Sequence, residues 1–141
     1  MRMRTVKVVL VLFLGVLLCS AAVGQKANYG KKIDKFLAGI LKGEIDKSYD
    51  ALFAGTVIEP KKQAIQMIKE QTRTIFNLYG KKIASEFIKQ QNYGDSVLRL
   101  VYIIKCESLP VIYEFYFYKA TSDWKLINMN VSDQLNLLAD R

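Results

Sequence analysis

The stretch VLRLVYIIKCESLPVIYEFYFYKATSDWKLINMNV, residues 97–131, decides the fold. From Val97 to Glu107 the side chains alternate with a period of two. Leu98, Leu100, Tyr102, Ile104 and Cys106 form one wholly apolar face, while Arg99, Lys105 and Glu107 lie on the other with Val101 and Ile103 between them. Strict alternation of this kind marks a strand with one face on a core. Ser108-Leu109-Pro110 turns the chain. A second strand, Val111 to Ala120, sets Val111, Tyr113, Phe115 and Phe117 against Ile112, Glu114, Tyr116 and Tyr118. Thr121-Ser122-Asp123 turns it again, and Trp124 to Val131 makes a third long strand. Three strands joined by short turns form an antiparallel meander, and aromatic residues on both sides of the middle one imply a curved sheet.

Working back from Val97, Tyr93-Gly94-Asp95 reads as a turn and Ser85 to Gln91 as a short first strand. Before Gly80 the period changes to about 3.6. Asn28 to Lys42 carries Ile33, Phe36, Leu37, Ile40 and Leu41 on a single stripe, and Gly43 ends that helix. Glu44 to Phe53 reads as a short second helix burying Ile45, Tyr49, Leu52 and Phe53. Pro60 to about Leu78 reads as a third, with Pro60 in its first turn and Ala64, Ile65, Ile68, Thr72, Ile75, Phe76 and Tyr79 inward. After the last strand, Ser132 or Asp133 caps a final turn through Leu138. Helices that precede an antiparallel sheet predict an α+β domain with the helices packed on one face of a curved meander. The other face is expected to be a half-exposed aromatic surface.

Ahead of this domain, Met1 to Lys7 carries three positive charges, and Val8 to Leu18 is an eleven-residue apolar run interrupted only by Gly15. That run suits an export signal; extended through Val23 it gives sixteen residues against the about 20 apolar ones that an uncleaved anchor needs, so cleavage is favoured over an anchor. Ala22-Val23-Gly24 places small residues where a signal peptidase needs them, so residues 1–24 are expected to leave and a single domain, 25–141, to work in the periplasm or outside the cell. Cys19 at the end of the run offers the alternative of an envelope-associated lipoprotein, held by lipid at Cys19 or by the Lys pairs of the domain. The bulky Leu18 before Cys19 argues for simple cleavage.

Composition narrows the chemistry. Without Arg2, Arg4 and Lys7 the chain holds 18 basic against 13 acidic residues, a net of +5. The excess sits in Lys31-Lys32, Lys61-Lys62 and Lys81-Lys82, read as solvated helix faces. No arginine-rich run is interleaved with aromatics, so nucleic acid is not an expected partner. There is no histidine, which removes histidine bases, Ser-His and Cys-His nucleophiles and most zinc or iron sites. Cys106 would be the single cysteine of the exported domain and reads as a small buried hydrophobe. No glycine-rich loop fits a phosphate-cradling pattern, and no cofactor or metal is expected.

The order of elements resembles the cystatin-like α+β cone of the nuclear transport factor 2-like superfamily. Leu100-Val-Tyr-Ile-Ile-Lys105, Pro110, Tyr113-Glu-Phe-Tyr-Phe-Tyr-Lys119 and Trp124-Lys-Leu-Ile-Asn128 are similar to a pattern in small exported bacterial proteins of unassigned activity. The likeness spans Tyr79 to Leu138 and is structural in character. The superfamily includes isomerases, dehydratases and binding modules, so it implies a fold without choosing a function.

What remains is carboxylate and tyrosine chemistry. Glu114 with Tyr116 and Tyr118, joined by Tyr102 or Tyr49, is the candidate catalytic set for an isomerase or lyase working in a cone-shaped pocket. Against it, a Glu opposite a core face is ordinarily an outward polar residue. Tyr102, Tyr113, Tyr116, Tyr118 and Trp124 are the candidate ligand or interface residues. The leading expectation is an exported, non-catalytic module that binds a small apolar ligand or a protein partner, a second copy of itself included.

Overall fold

The structure, a computed structural model, describes residues 20–139, with side chains from residue 29 onward. The apolar run through Cys19 lies outside the described residues, and so do the side chains around the expected cleavage point at Gly24-Gln25. Three helices come first: α1 (Ser20–Leu41), α2 (Ile45–Phe53) and α3 (Lys62–Tyr79). Four strands follow, β1 (Lys82–Tyr93), β2 (Val97–Cys106), β3 (Val111–Lys119) and β4 (Trp124–Ser132), and a short 3₁₀ turn (Leu135–Leu138) closes the chain. The strands form one antiparallel sheet in the order β1-β2-β3-β4, curved and unclosed, with the helices packed on one face. This is the α+β meander that the alternation of residues 97–131 implies. Among the described residues no helix is long and apolar enough to cross a membrane.

The register explains both sheet faces. Leu100 pairs with Phe115 and Phe115 with Met129; Tyr102 pairs with Tyr113 and Tyr113 with Val131. Directly opposed residues share a face, and this inner face meets Ile33, Phe36, Leu37 and Ile40 of α1 and Tyr49, Leu52 and Phe53 of α2, all buried. At its centre the Phe36 ring lies 5.0 Å from Tyr49, 5.7 Å from Tyr113 and 5.8 Å from Phe115, each edge-on. Edge-to-face contacts suit the ring quadrupoles. α1 and α2 approach so closely that a Cβ built on Gly39 would stand 2.1 Å from Ser48 Oγ.

Two details differ from the sequence reading. β1 has twelve residues and extends from Lys82, well beyond Ser85–Gln91, and its bulges fall between Lys82 and Ala84 and between Phe87 and Lys89. As an edge strand it pairs on one side only and is largely exposed on both faces, so its alternation is weak. α3 begins at Lys62, and Pro60 sits in the turn before it, while Ala64 is exposed.

The core holds a small polar nest. Thr72 Oγ1 donates to Ile68 O at 2.8 Å, which leaves the Tyr49 hydroxyl to donate to Thr72 Oγ1 at 2.6 Å. The Tyr113 hydroxyl, equally buried, makes no hydrogen bond among the described residues. Burial lifts both phenols well above their ordinary value, the bond to Thr72 only partly offsetting it for Tyr49. An unfolded chain loses these protons near pH 10 while the folded one keeps them. Stability is therefore expected to hold below about pH 10 and to fall as pH rises above it. In an alkaline titration, the phenolate absorbance of this pair should appear only together with loss of far-ultraviolet circular dichroism. Its appearance with the circular dichroism intact would contradict the burial described.

Candidate functional site

The helices leave a cleft of about 530 Å³ at the end of the sheet where β3 gives way to β4. Its aromatic wall is built by Tyr29, Phe117 and Trp124, with Leu126 beside them. Tyr29 lies one turn ahead of Ile33 on the apolar stripe of α1, which carries it over Phe117 at a ring distance of 4.9 Å. Trp124 opens β4, and Lys119 Nζ stands 5.1 Å from the centre of its ring, within cation–π reach. The loop after α2, Gly55-Thr56-Val57, also lines the cleft. Gly55 takes a positive φ of 71° and its amide donates to Glu59 Oε2, while Val57 holds an apolar side chain in solvent. Lys32, Asp123 and Lys125 complete the rim. Burial raises the Tyr29 phenol above its ordinary value, and its buried hydroxyl makes no hydrogen bond among the described residues. The arrangement is an aromatic slot with cations at the edge, sized for a small molecule.

On the outer face of the sheet, away from the helices, Glu114 is not the solvated residue that its position suggests; it is only 3 % exposed. Arg99, 6 % exposed, donates from Nε to Glu114 Oε1 at 2.7 Å and bonds the same oxygen through its NH2. The same guanidinium reaches Gln91 Oε1 and, at 2.8 Å, the carbonyl of Leu137. Asn130 Nδ2 and the Tyr116 hydroxyl approach Glu114 from the neighbouring positions, at 3.4 and 3.5 Å. Burial works against the Arg99 charge, but the hydrogen bond and the charge of Glu114 outweigh it and lift its pKa. Lys89 Nζ donates to Leu138 O at 2.7 Å and Ala139 O at 3.1 Å. The chain after β4 thus crosses the outer face as a strap, on the side where Val101 and Ile112 are fully buried. The half-exposed aromatic surface is reduced to one end, where Tyr93, Val97 and Tyr118 stand in a row across β1, β2 and β3.

Of the residues that sequence reasoning singles out, only Trp124 reaches the cleft. Tyr113 is core, and Tyr102 is half-buried against Phe87 and Phe115. Glu114, Tyr116 and Tyr118 share the outer face as alternation requires, but Tyr102 and Tyr49 belong to the inner side and do not join them. Cys106 is buried, and burial pushes its thiol up, away from the thiolate form. Among the described residues no group of three His, Cys, Asp or Glu side chains is placed to hold a metal ion.

No family model, no curated protein and no solved structure matches this chain. Tyr29, Lys32 and Val57 are the residues of the cleft that the strand pattern does not reveal, while Phe117 lies on the core face that alternation assigns to β3. Continuing the α1 stripe back by four from Ile33 would have found Tyr29.

Proposed function

We propose that the protein is a binding module whose cleft holds a small apolar molecule bearing an acidic group. The observation that carries this is a cleft lined by the rings of Tyr29, Phe117 and Trp124 and by the exposed Val57, with two lysines, Lys32 and Lys125, against one acid, Asp123. Flat rings contribute apolar area and stacking, and rim lysines suit a carboxylate or sulfonate that stays in contact with water. The reading as a binder, and not as an isomerase or lyase, rests on Glu114, whose oxygens already serve Arg99, Tyr116 and Asn130 on the opposite face. The fold is consistent with a nuclear transport factor 2-like cone, and the export signal at 1–24 would place the module in the periplasm or outside the cell. A second reading, a protein partner or a second copy, is favoured only by the exposed Tyr93 and Tyr118 at the open end of the outer face.

Native mass spectrometry of protein purified from its host is the test. A small acidic, apolar molecule should accompany the chain and be lost from Trp124→Ala, whose melting temperature should stay within a few degrees of the parent. A ligand retained by that variant, or a bare dimer alone, would overturn the cleft reading.

A further inference from the structure

A second cavity, again of about 530 Å³, lies between α1 and α2 and has a different character. α2 sorts its charges by side. Asp46 and Asp50 turn toward α3: Lys69 Nζ lies 2.7 Å from Asp50 and 3.6 Å from Asp46, and Arg73 lies 2.6 Å from Asp46. The Arg73 hydrogen bond and charge hold the Asp46 carboxyl below its usual range. Lys47 falls on the other side, toward α1. From α1 come Lys32 and Lys35, three apart on one helical face, and from the turn just after it comes Lys42, whose amide still donates to Ala38 O at 3.2 Å. Among the described residues these four lysines line the groove with one acid, Glu44, 3.8 Å from Lys47, and Lys32 Nζ donates to Ala54 O at 3.4 Å. The Lys35 and Lys42 side chains make no ion pair or hydrogen bond among the described residues.

The floor keeps the groove open. Ala38, Gly39 and Ala51 fill little space, and Gly39 lets α1 approach Ser48 of α2 closely. Clustered cations in a concave, partly low-dielectric wall focus positive potential into the space between them. Lysine binds phosphate as a point charge with three donors, and several lysines together suit a multiply charged oxyanion better than a single carboxylate. We propose that the α1–α2 groove is a binding site for a phosphate-bearing ligand, separate from the aromatic cleft and touching it only at Lys32. The phosphate can belong to a soluble ester or to a lipid headgroup.

The purified protein titrated with inorganic pyrophosphate, and sedimented with vesicles of phosphatidylglycerol or of phosphatidylcholine, tests this. Expected are saturable amide shifts confined to α1 and α2, affinity that falls steeply with added salt, and at least a tenfold loss in Lys35→Glu/Lys42→Glu. Both substituted side chains are exposed, so an unchanged melting curve separates lost binding from lost folding. Pyrophosphate binding assigns the groove to soluble phosphates. Binding only to phosphatidylglycerol vesicles, lost in the double variant, assigns it to a headgroup. Binding to neither, or binding that survives charge reversal, overturns the proposal. Trp124→Ala should leave all these readouts unchanged, so failure here is distinct from failure of the cleft.

Discussion

Arg99→Ala is expected to destabilise the protein by about 3–5 kcal/mol, because it strands Glu114 as a buried charge without its partner. Such a loss is a large share of the roughly 5–15 kcal/mol that holds a domain of this size folded. The Arg99 side chain also holds Gln91 on β1 and Leu137 in the strap, so one substitution loosens three contacts across the outer face. Arg99→Lys should recover little, since one ammonium cannot span the positions that the guanidinium fork reaches. The decisive comparison is Arg99→Met/Glu114→Leu. Removing both charges removes the penalty of burying them, so the double variant should be close to the parent in stability, or above it. Urea unfolding measures all three, and hydrogen exchange at Leu137–Ala139 should quicken in Arg99→Ala. A single variant within about 0.5 kcal/mol of the parent would mean that the pair is solvated and the strap is not seated on it.

Phe36→Ala is expected to cost about as much, roughly 3–5 kcal/mol, for a different reason. Phe36 is the side chain on which α1, α2 and β3 converge, with Tyr49, Tyr113 and Phe115 packed edge-on around its ring. Alanine there loses the transfer energy of the ring and leaves a void that three rigid aromatics cannot collapse to fill. The exposed Leu78 on α3 provides the control: Leu78→Ala should change stability by less than about 0.5 kcal/mol. The midpoint of urea unfolding should fall with an unchanged slope, which marks lost stability without a change in compactness. Should Phe36→Ala unfold like Leu78→Ala, the helices are not docked on the inner face as described.

The sheet was legible because half-burial writes a period of two into a strand. Leu98 to Cys106 and Val111 to Phe117 carry it plainly, and both faces of β2 and β3 follow from it. β1 was legible only in part, since an edge strand exposed on both sides has little alternation to show. Alternation puts Glu114 on the correct face but does not reveal that it is buried there. Nothing local announces that the chain after Ser132 returns over that face, or that Arg99, fifteen positions earlier, supplies the countercharge. The cleft was the least legible feature. Its wall combines residues from the middle of α1, a loop after α2, the end of β3 and the first residues of β4, which sequence spacing does not relate. Of the outward tyrosines expected to form an interface, Tyr116 is drawn into the ion-pair cluster, and Tyr118 alone keeps the exposure that the argument assumed.

The cleft contains the chain's single tryptophan, so its own fluorescence reports on the central claim. Trp124 emission should be followed while the protein is titrated with dodecanoate and, separately, with dodecanol, both below their aggregation limits. The account predicts a saturable change with one-site stoichiometry, tighter for the carboxylate than for the alcohol and weakened when Lys32 and Lys125 are both replaced by glutamine. Trp124 emission that stays unchanged for both compounds through the millimolar range would contradict it.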